Sequence, residues 1–265
     1  MFKQRLLTSL VLVPLVLFII YYAKSWIFID LVLLLLVACG LEWLVLIPIK
    51  QPWLKIVFVI FLLALTWLSH LGFYYWLFAG LFGWVAILIA VLNFPKSQRI
   101  WGHTWIVFFA GLLLLPLFAQ SMLRLYHGYE GKNLVVYLLC LIWAADIGAY
   151  LAGKQWGKHK LIPLVSPGKT IEGLLGGFLL SMLIALAGYF YFQPKGIVNW
   201  FLIAVVTTLI SILGDLFISM LKRRTNIKDT GHILPGHGGI LDRLDSLIAA
   251  LPLFYCGLVF LNTGI

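Results

Sequence analysis

The chain has 265 residues, 63% of them hydrophobic and only 11% charged, with a mean hydropathy of +1.06 and a formal net charge of +10. Soluble domains carry about 25% charged residues, so the composition excludes a water-soluble enzyme and places the chain in a bilayer. In a soluble protein the cation excess would suggest nucleic acid; here no nucleic-acid partner is expected, and the placement of the charges matters more than their sum.

Crossing a hydrocarbon layer roughly 30 Å thick takes about 20 apolar residues. Nine such runs follow one another, at about 6–23, 26–48, 53–70, 73–92, 103–121, 134–151, 174–192, 200–219 and 243–261. The first, in MFKQRLLTSLVLVPLVLFIIYYAK, begins like a secretory signal, but its apolar part is too long and no small-x-small cleavage site follows, so it is expected to stay as a span. The expected fold is an all-α integral membrane protein, a polytopic bundle of about nine transmembrane helices. It forms a single domain, with residues 1–121 as scaffold and residues 134–261 carrying the site. Cys39, Cys140 and Cys256 each fall inside an apolar run and read as packing residues.

If the amino terminus faces the cytoplasm and the spans alternate, the inner segments hold fifteen of the nineteen Lys and Arg residues. Only Lys24, Arg124, Lys132 and Lys195 are left outside. The positive-inside rule selects that orientation and puts the carboxyl terminus outside.

Carboxylates inside spans cost about 3 kcal/mol each and tend to be functional. Glu42, Asp146 and Asp215 are expected at the same cytoplasmic depth, with Asp242 and Asp245 opening the last span; Asp30 lies toward the other face and has no assigned role. Hard oxygen donors without a Cys or His cluster suit Mg²⁺. Asp242 and Asp245, three apart in GILDRLD, share a helix face, and with Asp215, and Asp146 completing the cluster, they form the expected metal set. The ion is Mg²⁺, alone or with a second cation.

Two polar loops flank these acids. GKQWGKHKLIPLVSPGKTIEG holds Lys154, Lys158, Lys160, Lys169 and Glu172. Its SPGKT is not a Walker nucleotide loop, because Pro163 stands where that pattern needs glycine and no strand is expected before it. The second loop, GHILPGHGG, has Gly231, Gly236, Gly238 and Gly239 beside Lys222, Arg223, Arg224, Lys228 and Arg243. Glycines let several N–H groups converge on an anion, and the following helix start adds its positive dipole end. That combination reads as a phosphate cradle, and His237 either donates a hydrogen bond to it or is a packed, satisfied histidine.

The run SMLKRRTNIKDTGHILPGHGGILDRLD, residues 219–245, resembles the signature of the phosphatidate cytidylyltransferases, also called CDP-diacylglycerol synthases. Ser219, Lys222, Arg223, Lys228, Asp229, Gly231, Pro235, His237, Gly238, Gly239, Asp242, Arg243 and Asp245 fill its positions. DIGAYLAGKQWGKHKL and SPGKTIEG are similar to the family's second cytoplasmic block, although Ala145 replaces the usual lysine before Asp146. The resemblance covers roughly the carboxyl-terminal half.

It implies transfer of CMP from CTP to phosphatidic acid, with release of pyrophosphate, by a magnesium-dependent nucleotidyltransferase. The catalytic residues would be Asp215, Asp242, Asp245 and Lys228. Substrate phosphates would be held by Lys169, Lys222, Arg223, Lys228, His237, Gly238, Gly239 and Arg243. It also implies a homodimer in the bacterial cytoplasmic membrane, surrounded by membrane lipids and with its site facing the cytoplasm. Two other readings are a CTP-dependent transferase acting on a different lipid and, from another class, a cation or proton transporter.

Overall fold

The computed structural model describes residues 2–47, 51–233, 238–261 and 263–264, with side chains from Leu10 onward. Helices dominate: α1 (Phe2–Tyr22), α2 (Ser25–Trp43, prolonged by a 3-10 turn at Leu44–Leu46), α3 (Pro52–Leu71), α4 (Phe73–Leu92), the short α5 (Gln98–Trp101), α6 (Thr104–His127) and α7 (Gly131–Trp156). A hairpin of β1 (Lys160–Ile162) and β2 (Ser166–Thr170) follows, then α8 (Ile171–Phe192), α9 (Ile197–Thr225) and α10 (Leu241–Phe260). Eight of these, α2 to α4 and α6 to α10, are long and apolar enough to span a membrane, and α1 adds a shorter apolar helix at Leu10–Tyr22. Each of the nine expected runs therefore has its helix, in a polytopic all-α membrane protein.

Burial ranks the helices. About two-thirds of the apolar window of α6 is covered by protein, but only 22% of those of α3 and α4 and 28% of that of α8. α6, α7, α9 and α10 form the centre, and the outer helices present Leu, Phe and Trp outward, as lipid contact allows. In lipid, helices associate through close backbone approach and the few polar groups that can cross-link them. Between α7 and α8 a seam of Gly148, Gly173, Gly176 and Gly177 with Ala145 and Ala152 brings the backbones together; a Cβ at Gly148 would stand 2.5 Å from the Gly176 carbonyl. Buried donors tie neighbours by their carbonyls: Trp43 Nε1 to Val107 at 2.9 Å, Gln120 Nε2 to Thr66 at 2.8 Å, Ser181 Oγ to Leu141 at 3.0 Å. Each would be an unsatisfied group in hydrocarbon without its partner.

The hairpin corrects the expectation that no strand precedes SPGKT: β1 does, and SPGKT itself is β2, paired antiparallel with Lys160 opposite Thr170 and Ile162 opposite Ser166. Strands of three and five residues, rich in Lys, Pro and Gly, carry no alternating pattern to read. The chain around them is fastened to the start of α8. Thr170 is its N-cap and accepts from the Gly173 N–H at 3.0 Å. In the first turn, Glu172 accepts from the Lys158 and His159 N–H groups at 3.1 and 3.2 Å and meets His159 Nδ1 at 2.6 Å. Thr170→Ala removes the cap and should lower stability by about 1 kcal/mol, read as a lower thermal unfolding midpoint in detergent.

α9 ends where Asn226 takes a left-handed conformation (φ 55) and the Ile227 N–H donates to the Lys222 carbonyl at 3.1 Å. This helix stop delivers the chain into the glycine-bearing loop between α9 and α10.

Candidate active site

Three positions of α9 one or two turns apart, Asp215, Ser219 and Lys222, lie on one face. Around that face the structure assembles acids and cations from distant segments. Lys169 of β2 reaches Asp215 with Nζ to Oδ2 at 2.7 Å, and Ser219 Oγ donates to Asp215 Oδ1 at 3.2 Å. Lys222 reaches Asp242 of α10, Nζ to Oδ1, also at 2.7 Å. Arg223 Nε donates to the Val165 carbonyl in the hairpin turn at 3.1 Å, so the first polar segment docks on α9 at two points. Asp215 is within electrostatic reach of both Asp146 and Asp245, and Asp146 is within reach of Lys169 and Arg243 as well.

Asp242 is the hub of the second loop. Its Oδ2 accepts from the Thr230 N–H at 2.8 Å, the Thr230 hydroxyl at 3.1 Å and the Gly239 N–H at 3.1 Å, while Oδ1 takes Lys222. The carboxylate thereby fixes the loop's two ends to the last turn of α9. Gly239 belongs to the expected phosphate cradle, yet its N–H is committed to Asp242. Gly238 has φ 85, a conformation that favours glycine.

Glu42, which the sequence placed at the depth of the other acids without a specific role, has one in the structure. It is 5% exposed and stands at the end of α2. Its Oε1 accepts from the Ile240 N–H at 3.0 Å and its Oε2 from the Leu241 N–H at 2.7 Å, with the Thr230 hydroxyl at 3.1 Å. An α-helix leaves its first N–H groups without internal partners, and α10 receives a cap from a side chain 199 residues away. A Cβ at either Gly231 or Gly239 would collide with this carboxylate, so both glycines are required by close approach. The amino-terminal half, expected to serve as scaffold, thus supplies part of the loop's framework. The only sequence signal was a carboxylate at depth in an apolar run.

Hydrogen bonds and an ion pair thus join Glu42, Thr230, Asp242 and Lys222, a second group joins Lys169, Asp215 and Ser219 on the same face of α9, and Asp146 and Asp245 lie within electrostatic reach of Asp215. Asp245 is 8% exposed, and its Oδ1 accepts from the Ser246 N–H at 2.7 Å. The α10 backbone there touches Gly214, where a Cβ would strike the Asp245 carbonyl. Lys228 and Arg243 are exposed; Arg224 turns instead to α6, Nη2 to Thr104 Oγ1 at 3.3 Å. His237, Pro235 and Gly236 lie outside the described residues.

A cavity of about 230 Å³ opens beside this network, walled by Asp146, Tyr150, Gly168, Lys169, Thr170 and Asp215 among others. Among the described residues no three His, Cys, Asp or Glu side chains are gathered so as to hold a metal ion by themselves. Two carboxylates, Asp146 and Asp215, do share the cavity wall. That donor set fits Mg²⁺, which is generally held by one or two carboxylates together with substrate phosphates and water.

The sequence profile of the Cytidylyltransferase family matches residues 3–261, essentially the whole chain. The chain belongs to that family. Its relatives include the phosphatidate cytidylyltransferase of Haemophilus influenzae, 36% identical over 96% of this chain and 97% of the relative. That of Pseudomonas aeruginosa is 38% identical over 96% of both. The phosphatidate cytidylyltransferase of Staphylococcus aureus is 48% identical over 126 residues, 47% of this chain and 48% of the relative. As a cytidylyltransferase-family protein, the chain has in its lysine-paired acids and its cavity the elements that nucleotide phosphates require; these come from the carboxyl-terminal half, while Glu42 of the amino-terminal half frames the loop beside them.

Proposed function

We propose that this protein transfers CMP from CTP to phosphatidic acid, releasing pyrophosphate and CDP-diacylglycerol. What carries the reading is the Asp215–Lys169 and Asp242–Lys222 network beside an open cavity at one end of an apolar bundle, in a chain with full-length relatives of that name. One reactant is a two-tailed lipid and the other a polyanion soluble only in water, so they meet only at the membrane surface.

A phosphate oxygen of the lipid would form the new bond to the α-phosphorus of CTP as the bond from that phosphorus to the pyrophosphate oxygen breaks. The attacking phosphate monoester is already an anion near neutral pH, so the protein's work is positioning and charge neutralisation. Lys169 and Lys222, each held in place by an aspartate, present ammonium groups to the incoming phosphates; Lys228, Arg223 and Arg243 add positive charge around them. Asp242 and Glu42 set the loop, with Glu42 taking the first N–H groups of α10. Mg²⁺ would be held by Asp146 and Asp215, with Asp245 behind them, and would neutralise charge developing on the transferring phosphate. In this reading the expected metal set narrows to the acids at the cavity, because Asp146 and Asp215 line its wall and Asp242, which holds the loop and Lys222, does not.

The positive-inside rule supports a cytoplasmic face for this surface, because most of the Lys and Arg residues lie in the segments on its side in the nine-span alternation. The homodimer implied by the family resemblance is tested by cross-linking in intact membranes.

The test is pyrophosphate release by the purified, lipid-reconstituted protein. We expect release to require CTP, phosphatidic acid and Mg²⁺ together. Release that persists without phosphatidic acid, or a Mg²⁺-independent rate, defeats the corresponding part of the reading. Cation or proton flux into proteoliposomes without CTP would instead support a transporter.

A further inference from the structure

The face of α9 opposite Asp215, Ser219 and Lys222 is used as well. Phe217, Met220 and Leu221 lie on that side, and with Ala86 and Ala90 of α4 and Val107, Ala110 and Leu114 of α6 they wall an apolar groove of about 290 Å³. Along α6 it extends from Ile106 to Leu114, roughly 12 Å of helix. One helical turn past Leu221, on the same stripe, stands Arg224. Its Nη2 donates to Thr104 at the start of α6, two residues before Ile106 of the groove wall. Its Nη1 is buried and has no hydrogen-bond partner among the described residues.

Trp101 of α5 also lines the groove, and next to it in the chain Lys96, Arg99 and His103 are exposed. No acidic residue occurs in the sequence between Glu42 and Glu130, so nothing on the α3 to α6 side neutralises these cations. The result is a hydrocarbon-lined slot with cations beside it, at the end of the bundle where α9 finishes and α10 begins.

We infer that this groove is a second lipid site, which takes one acyl chain of an anionic phospholipid from the surrounding bilayer and holds its phosphate at Arg224. The occupant follows from the charge pattern: a guanidinium with an unused N–H favours phosphate, and a dry wall of Phe, Met, Leu and Ala favours a hydrocarbon tail. The site stands back to back with the catalytic face and shares only α9 with it. It therefore holds whether or not the acceptor lipid binds as proposed above.

The experiment counts lipids retained by the purified protein in native mass spectrometry, after reconstitution with dioleoylphosphatidylglycerol or dioleoylphosphatidylcholine. The wild type should retain the phosphatidylglycerol preferentially, one molecule per chain at this site. Arg224→Gln should cut the preference for the anionic lipid by about five-fold, the effect of one cation near a membrane surface. Ala110→Phe and Ala86→Phe, which fill the groove from opposite walls, should abolish retention. Lys222→Gln, on the catalytic face, should leave it intact. Equal retention of the two lipids by the wild type overturns the inference, as does full retention in both filled-groove variants. Loss of the lipid in Lys222→Gln with retention in the filled-groove variants would place it at the catalytic face and overturn the inference too.

Discussion

Asp215→Asn should reduce pyrophosphate release by a factor of about 10²–10³ or more, the usual consequence of losing one electrostatic stabiliser of a transition state, while the protein still inserts and folds. Asp215 joins the cavity to its cations: it pairs with Lys169, accepts from Ser219, lines the cavity and lies within electrostatic reach of Asp146 and Asp245. Asparagine keeps the shape and an acceptor oxygen but removes the charge that holds the Lys169 ammonium in place. The cost in stability should be small, about 1 kcal/mol or less, because the pair is about one-third exposed and solvent screens it. A thermal melt alongside the assay separates the two effects. A variant with near-normal turnover would take Asp215 out of the chemistry.

Glu42→Ala should have the largest effect on the fold among the site's residues. It strands the Ile240 and Leu241 N–H groups and deprives Thr230 of a partner, all in a place where water does not reach easily. Leaving a buried donor unpaired costs about 1–3 kcal/mol, so a total near 3 kcal/mol is expected, seen as a lowered unfolding midpoint in detergent. Turnover should fall as well, since Asp242 and Asp245 ride on the helix that Glu42 caps. Glu42→Gln should be intermediate, because its amide keeps one acceptor oxygen but turns an NH₂ toward backbone donors. Equal stability and activity in Glu42→Ala would mean that the cap has no part in shaping the loop.

Hydropathy revealed the nine helices because each must hide its backbone from hydrocarbon over a fixed thickness. It missed where they stop. The eighth run ends at residue 219 by apolarity, but α9 continues to Thr225, since backbone hydrogen bonding proceeds past the first lysine until Asn226 turns left-handed. The sixth behaves alike, with α7 reaching Trp156 rather than 151. The depth of Glu42, Asp146 and Asp215 pointed to a common neighbourhood, and the structure sets Asp146 within electrostatic reach of Asp215 and ties Glu42 through Thr230 to Asp242, whose partner Lys222 shares a helix face with Asp215. Which group serves which was not legible: nothing local says that Lys169 seeks Asp215, that Asp242 anchors Thr230 and Gly239, or that Arg224 turns to the other face of its helix. Those are properties of packing, and the hairpin that carries Lys169 has too short a pattern to announce itself.

The cap that α2 places on α10 also orders the protein's birth. The two ends of that contact are separated by most of the polypeptide, so it forms only after the final span has left the ribosome and found a helix inserted among the first. Until then the glycine-bearing loop lacks its framework, so the loop takes its shape only once α10 stands beside α2.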